Sequence, residues 1–162
     1  MSRPSHTNAV GPSFSITIPP GWYAIATAIS RKTYVQGLDV AFDIVSPQSR
    51  IFGSKPGTAN DQMKITLDGT DSLPFTVQKF EYQLDFTFYY STKSVRDAEE
   101  LVDNDAKSSK INVLRTEKRP GSFAGPDSVT YFVFVEDTPT QEAGTGQYDD
   151  AVAMVHLVQK PQ

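Results

Sequence analysis

The chain has 162 residues, with 15 Lys and Arg against 19 Asp and Glu for a formal charge of -4, and it contains no cysteine. That length suits one domain able to bury roughly two-thirds of its unfolded surface. An acidic balance with scattered basic residues argues against a nucleic-acid partner, which needs a basic stripe. The lack of cysteine removes disulfide frameworks and thiolate metal sites.

Residues 1–13 are polar and carry no apolar run of signal-peptide type. They read as a flexible N-terminal arm ahead of a single domain at 14–162. No stretch approaches the length of a membrane-spanning helix. The expectation is a cytoplasmic protein, or one released without a classical signal peptide.

From Phe14 onward the signals are those of short strands. Phe14, Ile16 and Ile18 alternate with Ser15 and Thr17, and Pro19-Pro20-Gly21 ends the run in a turn. Trp22 to Ile29 follows, with Tyr23, Ile25, Thr27 and Ile29 on one face and Ala24, Ala26 and Ala28 on the other. Leu38 to Val45 is a third strand with Asp39 and Asp43 facing outward. In the middle, Met63, Ile65 and Leu67 alternate, and Asp68-Gly69 is a favoured turn pair. The clearest strand is Phe80 to Tyr90, where six apolar residues from Phe80 to Tyr90 share one face. A helix would scatter those side chains around its circumference.

Ser94 to Val102 breaks this pattern, with a capping-box-like Ser94-Val-Arg-Asp97 and apolar residues at helical spacing. It predicts one short helix. Ile111 to Leu114 and Val129 to Val135 resume strands, and Asp150 to Val158 is the last. About eight to ten strands with at most one short helix predict an all-β protein, an antiparallel β-sandwich.

The long connection between the last two strands gathers acids at both ends: Glu136 and Asp137 at its start, Gln147-Tyr148-Asp149-Asp150 at its close. Two readings stand. Hard divalent cations take six to eight oxygens, and Glu136, Asp137, Asp149, Asp150 and the Gln147 amide would supply them. Alternatively the stretch is a solvated hairpin end in which Asp137 and Asp149 cap turns. His156 reads as a satisfied core residue, and Asp68-Gly-Thr-Asp71 as a turn rather than a calcium loop. Trp22, Tyr89, Tyr90 and Tyr148 are candidates for stacking on sugar faces or for the core, with Trp22 and Tyr148 left open.

Glu136-Asp137 after an apolar strand, then Tyr148-Asp149-Asp150-Ala151-Val152 before the last one, resembles the C-terminal segment of the calcium-mediated fucose/mannose-binding lectins of bacteria. Phe14 to Ile29 is similar to that family's opening pattern, whereas the middle of the chain is longer and unlike it. The resemblance implies a non-enzymatic, carbohydrate-binding homo-oligomer using calcium in that loop, with Glu136, Asp149 and Asp150 at ligand positions. It departs from the family at Gln147, which replaces an Asp, at Ser30, which replaces an Asn, and at the C-terminus. With those ligands lost, a single weakly held ion, or none, is expected. Arg31 and Lys32, with Ser30 and Tyr148, then become the residues expected to face the acids or a glycan. A self-assembling scaffold that kept the fold but lost metal and sugar is the alternative.

Overall fold

The structure, a computed structural model, describes residues 2–31, 34–55, 57–91, 107–118, 127–137 and 150–161. They form two antiparallel sheets packed face to face. In chain order the strands are β1 (Ser5–His6), β2 (Ser13–Ile18), β3 (Trp22–Ser30), β4 (Val35–Asp43), β5 (Pro47–Gly53), β6 (Asp61–Gln62) and β7 (Lys64–Ile65). They continue with β8 (Leu73–Phe75), β9 (Tyr82–Ser91), β10 (Lys107–Ser108), β11 (Lys110–Lys118), β12 (Ser128–Glu136) and β13 (Ala151–Gln159). The expected all-β sandwich is what the chain forms, and the additional strands are the two- and three-residue ones.

One sheet runs β1-β2-β9-β4-β5-β7, with β10 also on β9. The other runs β11-β12-β13-β3-β6, with β8 also on β3. The period-two pattern explains which faces meet. Along β9, Tyr82, Leu84, Phe86, Phe88 and Tyr90 are all buried, as the alternation predicts, while Phe80 lies before the strand and is exposed. Phe14 of β2 stacks on Phe86 at 5.0 Å and meets Tyr131 of β12 across the sandwich at 6.5 Å.

In β3 it is the small side chains that turn inward. Ala24, Ala26 and Ala28 are buried with Trp22, whereas Tyr23, Ile25 and Ile29 are exposed. Both faces of this strand are apolar, so alternation alone does not say which is inside. Packing against the other sheet decides the matter, because a core of fixed thickness seats large residues opposite small ones.

Turns fall where glycine permits a positive φ: Gly21 (φ 88°) after the proline pair and Gly69 (φ 72°) after Asp68. Asp68 accepts from the Thr70 backbone N–H at 2.9 Å and from its hydroxyl at 2.6 Å, so the Asp68 to Asp71 stretch is a turn, as expected. The opening segment lies against the sandwich. Ser5 and His6 pair with β2, and Arg3 forms ion pairs with Asp127 and Glu117 while its guanidinium sits 5.6 Å from the Trp22 ring centroid. Arg115 donates to the Pro4 carbonyl at 3.0 Å and to the Tyr131 hydroxyl at 3.2 Å, joining arm, edge strand and core. The helix expected at 94–102 lies outside the described residues. Among the described residues there is no helix long and apolar enough to cross a membrane.

Candidate functional site at one end of the sandwich

The buried polar side chains are distributed unevenly. Among the described residues they are Ser30, Gln36, Ser54, Ser91, Ser109, Glu136, Asp137 and Asp150. Register and hydrogen bonds place them all at the same end. Ser30 is opposite Ala151, Gln36 opposite Tyr90, and Ser91 opposite Val35. Ser54 accepts the Gln36 backbone N–H at 2.7 Å. The connection from β12 to β13 leaves from this end.

Asp137 is at the centre of the group and only 1% exposed. Its carboxylate accepts from the Gln36 side-chain amide through Oδ2 and from the Ser109 hydroxyl through Oδ1, the latter at 3.0 Å. Its backbone N–H donates to Asp150 Oδ2 at 2.6 Å. Asp150 in turn donates its own N–H to the Val135 carbonyl at 2.8 Å and accepts the Arg31 N–H at its carbonyl, also at 2.8 Å. The two ends of the twelve-residue connection are therefore tied to each other and to the end of β3.

Burial dominates the electrostatics. It pushes the Asp137 carboxyl from 3.8 up to about 7, against the lowering effect of the Gln36 and Ser109 hydrogen bonds and with the Asp150 and Glu136 charges adding to the rise. The Tyr90 hydroxyl is raised by burial first, then by Asp137, Tyr34 and Asp150. The Tyr34 and Tyr90 rings lie 6.4 Å apart at this same end.

Of the sequence candidates, the structure brings together Ser30, Glu136, Asp137 and Asp150, all buried. Arg31 contributes its backbone N–H, and its side chain is exposed. Lys32, Gln147, Tyr148 and Asp149 lie outside the described residues. Trp22 is removed from the sugar-stacking set, since it is 1% exposed within the core. His156 is a correction too. It sits half-buried on the outer face of β13, with Nδ1 2.7 Å from the Thr130 hydroxyl, because β13 directs its odd-numbered residues inward.

Gln36, Ser109, Ser54 and Ser91 were not anticipated. Gln36 did leave a signal, being in phase with the inward Leu38 and Val40, so that a polar residue occupies an apolar face. Ser109 is supplied by a neighbour distant in sequence, and no local pattern marks it.

A calcium ion takes six to eight oxygens free to coordinate it. Both Asp137 oxygens are already engaged by neutral donors, and one oxygen of Asp150 is held by a backbone N–H. Among the described residues no group of three Asp, Glu or His side chains is arranged to hold a metal. The described donors alone do not fit the ion. Two shallow hollows of about 350 and 440 Å³ lie elsewhere, on the outside of the β2-β9-β4 sheet, and share Asp85.

No family model matches the chain, and neither does any curated protein. Among solved structures it is similar to the C-terminal domain of the BC2L-C lectin from Burkholderia cenocepacia. The TM-score is 0.51 at 11% identity, covering 91% of this chain and 95% of that one. The chain has a lectin-like fold. At that identity the likeness describes architecture alone.

Proposed function

We propose that this protein is a non-enzymatic, carbohydrate-binding, lectin-like protein that recognises glycan at the end carrying the connection between β12 and β13. The observation that carries the reading is the concentration of every described buried polar side chain at that end, with Asp137 and Asp150 bonded across the root of the connection. Buried polar groups cost free energy unless satisfied, and a polar lining held rigid by a sandwich is the usual support for a recognition loop. The structural likeness to a lectin domain supports the same class.

Within this reading Asp137 is a positioning group. Its oxygens are committed to Gln36 and Ser109, so oxygens offered to a calcium ion or to sugar hydroxyls come from Glu136, Asp149, Asp150 and Gln147. A glycan array run with calcium and again with chelator tests it. Retention of a glycan that is lost on Asp149→Ala supports the proposal. No glycan retained under either condition refutes it.

The second reading is a scaffold that kept the fold and lost metal and sugar. It is favoured by the neutral clasp on Asp137, which satisfies a carboxyl without any cation. Calorimetric titration with calcium separates the two: a stoichiometry near zero together with a blank glycan array leaves the scaffold.

A further inference from the structure

We propose that the open side of the sandwich between β2 and β11 is a binding groove for an extended peptide carrying an Arg-Pro pair, and that residues 3–7 of this chain fill it as an intramolecular ligand. The inference is independent of the glycan reading, since the groove lies at the opposite end of β12 from Asp137.

The strands that flank the groove are sheet edges. β11 ends one sheet, and β2 is the last long strand of the other before the two-residue β1. In β11 the residues in phase with buried Ile111 are Val113, Arg115 and Glu117, so the face turned toward the sandwich changes from apolar to charged. Charges so placed need partners, and the opening segment brings them. Arg3 reaches Glu117 through Nε at 3.4 Å and pairs with Asp127 through Nη1, with its guanidinium over the Trp22 ring. Pro4 is buried, and its carbonyl accepts from Arg115 at 3.0 Å. The His6 ring meets Tyr131 edge-on at 5.0 Å.

The main chain of the segment is held as an added strand. Ser5 and His6 pair antiparallel with Thr17 and Ile16 of β2. Thr7 donates its N–H to the Ser15 carbonyl at 2.9 Å and accepts the Ser15 N–H at its hydroxyl, also at 2.9 Å. Strand addition to a sheet edge supplies main-chain bonds that any sequence can make, and side-chain seats supply the selection. Here the first seat is two carboxylates over an aromatic floor, which suits a flat guanidinium. The second is a buried site for proline, which has no N–H to be satisfied there.

The resident segment fits its own groove incompletely. Arg3 Nη2 is buried and, among the described residues, has no acceptor. An unpaired buried donor weakens the contact that carries it. The segment is therefore exchangeable for a competing peptide of the same kind.

The test uses the full chain and a synthetic peptide of the segment's own sequence, Ser-Arg-Pro-Ser-His-Thr, labelled at its C-terminus and read by fluorescence anisotropy. Arg3→Ala removes the resident anchor, and this variant should bind the peptide. In the wild type the resident segment competes at an effective concentration on the order of mM, so binding should be about tenfold weaker or more. Against the Arg3→Ala chain, a peptide with alanine in place of its arginine should lose about tenfold or more, and so should the original peptide once Asp127→Asn is added. Arg3→Lys, a milder variant that keeps the charge and loses the planar fork, should bind the peptide with an affinity between those of wild type and Arg3→Ala. Trp22 is the chain's single tryptophan and gives a second readout. Its emission should move to longer wavelength in Arg3→Ala and return when unlabelled peptide is added. No peptide binding by either Arg3 variant, equal affinity of wild type and Arg3→Ala, or equal affinity for the arginine and alanine peptides would each overturn the proposal.

Discussion

Asp137→Asn should flatten the dependence of stability on pH between about 5 and 8. In the unfolded chain the Asp137 proton leaves near 3.8, and in the folded protein near 7. Between those values the native state holds a proton that the unfolded state has lost, so this group's contribution to stability falls as pH rises, then levels off above about 7. The full difference is about three pKa units at ~1.4 kcal/mol each, or about 4 kcal/mol. Roughly two of those units lie above pH 5, leaving about 3 kcal/mol to be lost by pH 8. For a chain of this size that corresponds to a fall in Tm of roughly 5–10 °C. The amide is neutral at every pH and can still accept from Gln36, so the variant should hold its Tm where the wild type loses it. Other titrating groups, His6 among them, are common to both proteins and cancel in the difference. Thermal melts of the two proteins at half-unit pH steps are the assay. Parallel curves from pH 5 to 8 would refute a buried, proton-holding Asp137.

Gln36→Leu removes a neutral donor from the same carboxyl and should destabilise by about 1–3 kcal/mol, with the larger loss at pH 8, where the carboxylate is ionised; urea melts at pH 5 and 8 measure it. Arg3→Ala severs the links to Asp127, Glu117 and Trp22 and should cost about 1–2 kcal/mol at low salt, less at high salt. Denaturant titrations at two salt concentrations distinguish the outcomes. Gly21→Ala forces a Cβ onto a residue at φ 88° with open space around it, so strain alone should cost about 1 kcal/mol. A clash-free site that nonetheless loses Tm is the expected result.

How far the sequence discloses this molecule depends on whether a residue's neighbours are local. The β9 alternation is self-contained, and its inward residues from Tyr82 to Tyr90 are legible without any partner. The β3 alternation is not, because alanines and isoleucines are both apolar and only packing against the other sheet assigns the inside. The outward placement of His156 is hidden for the same reason: β13 is apolar on both faces, and nothing in it says which one meets the core. At the polar end, Asp137 and Asp150 are visible as part of an acidic loop, yet the side-chain partners of Asp137, Gln36 and Ser109, come from 101 and 28 residues away. Such contacts are tertiary, and a linear pattern carries no trace of them beyond the phase of Gln36.

The fastening of Asp150 by three separate backbone contacts has an evolutionary consequence. The seam beneath the connection is closed by the Asp137, Asp150 and Arg31 main-chain N–H groups and by the Asp150 carboxylate. Among the described residues Arg31 gives this seam its main-chain N–H alone and can drift, whereas Asp150, whose carboxylate closes it, cannot.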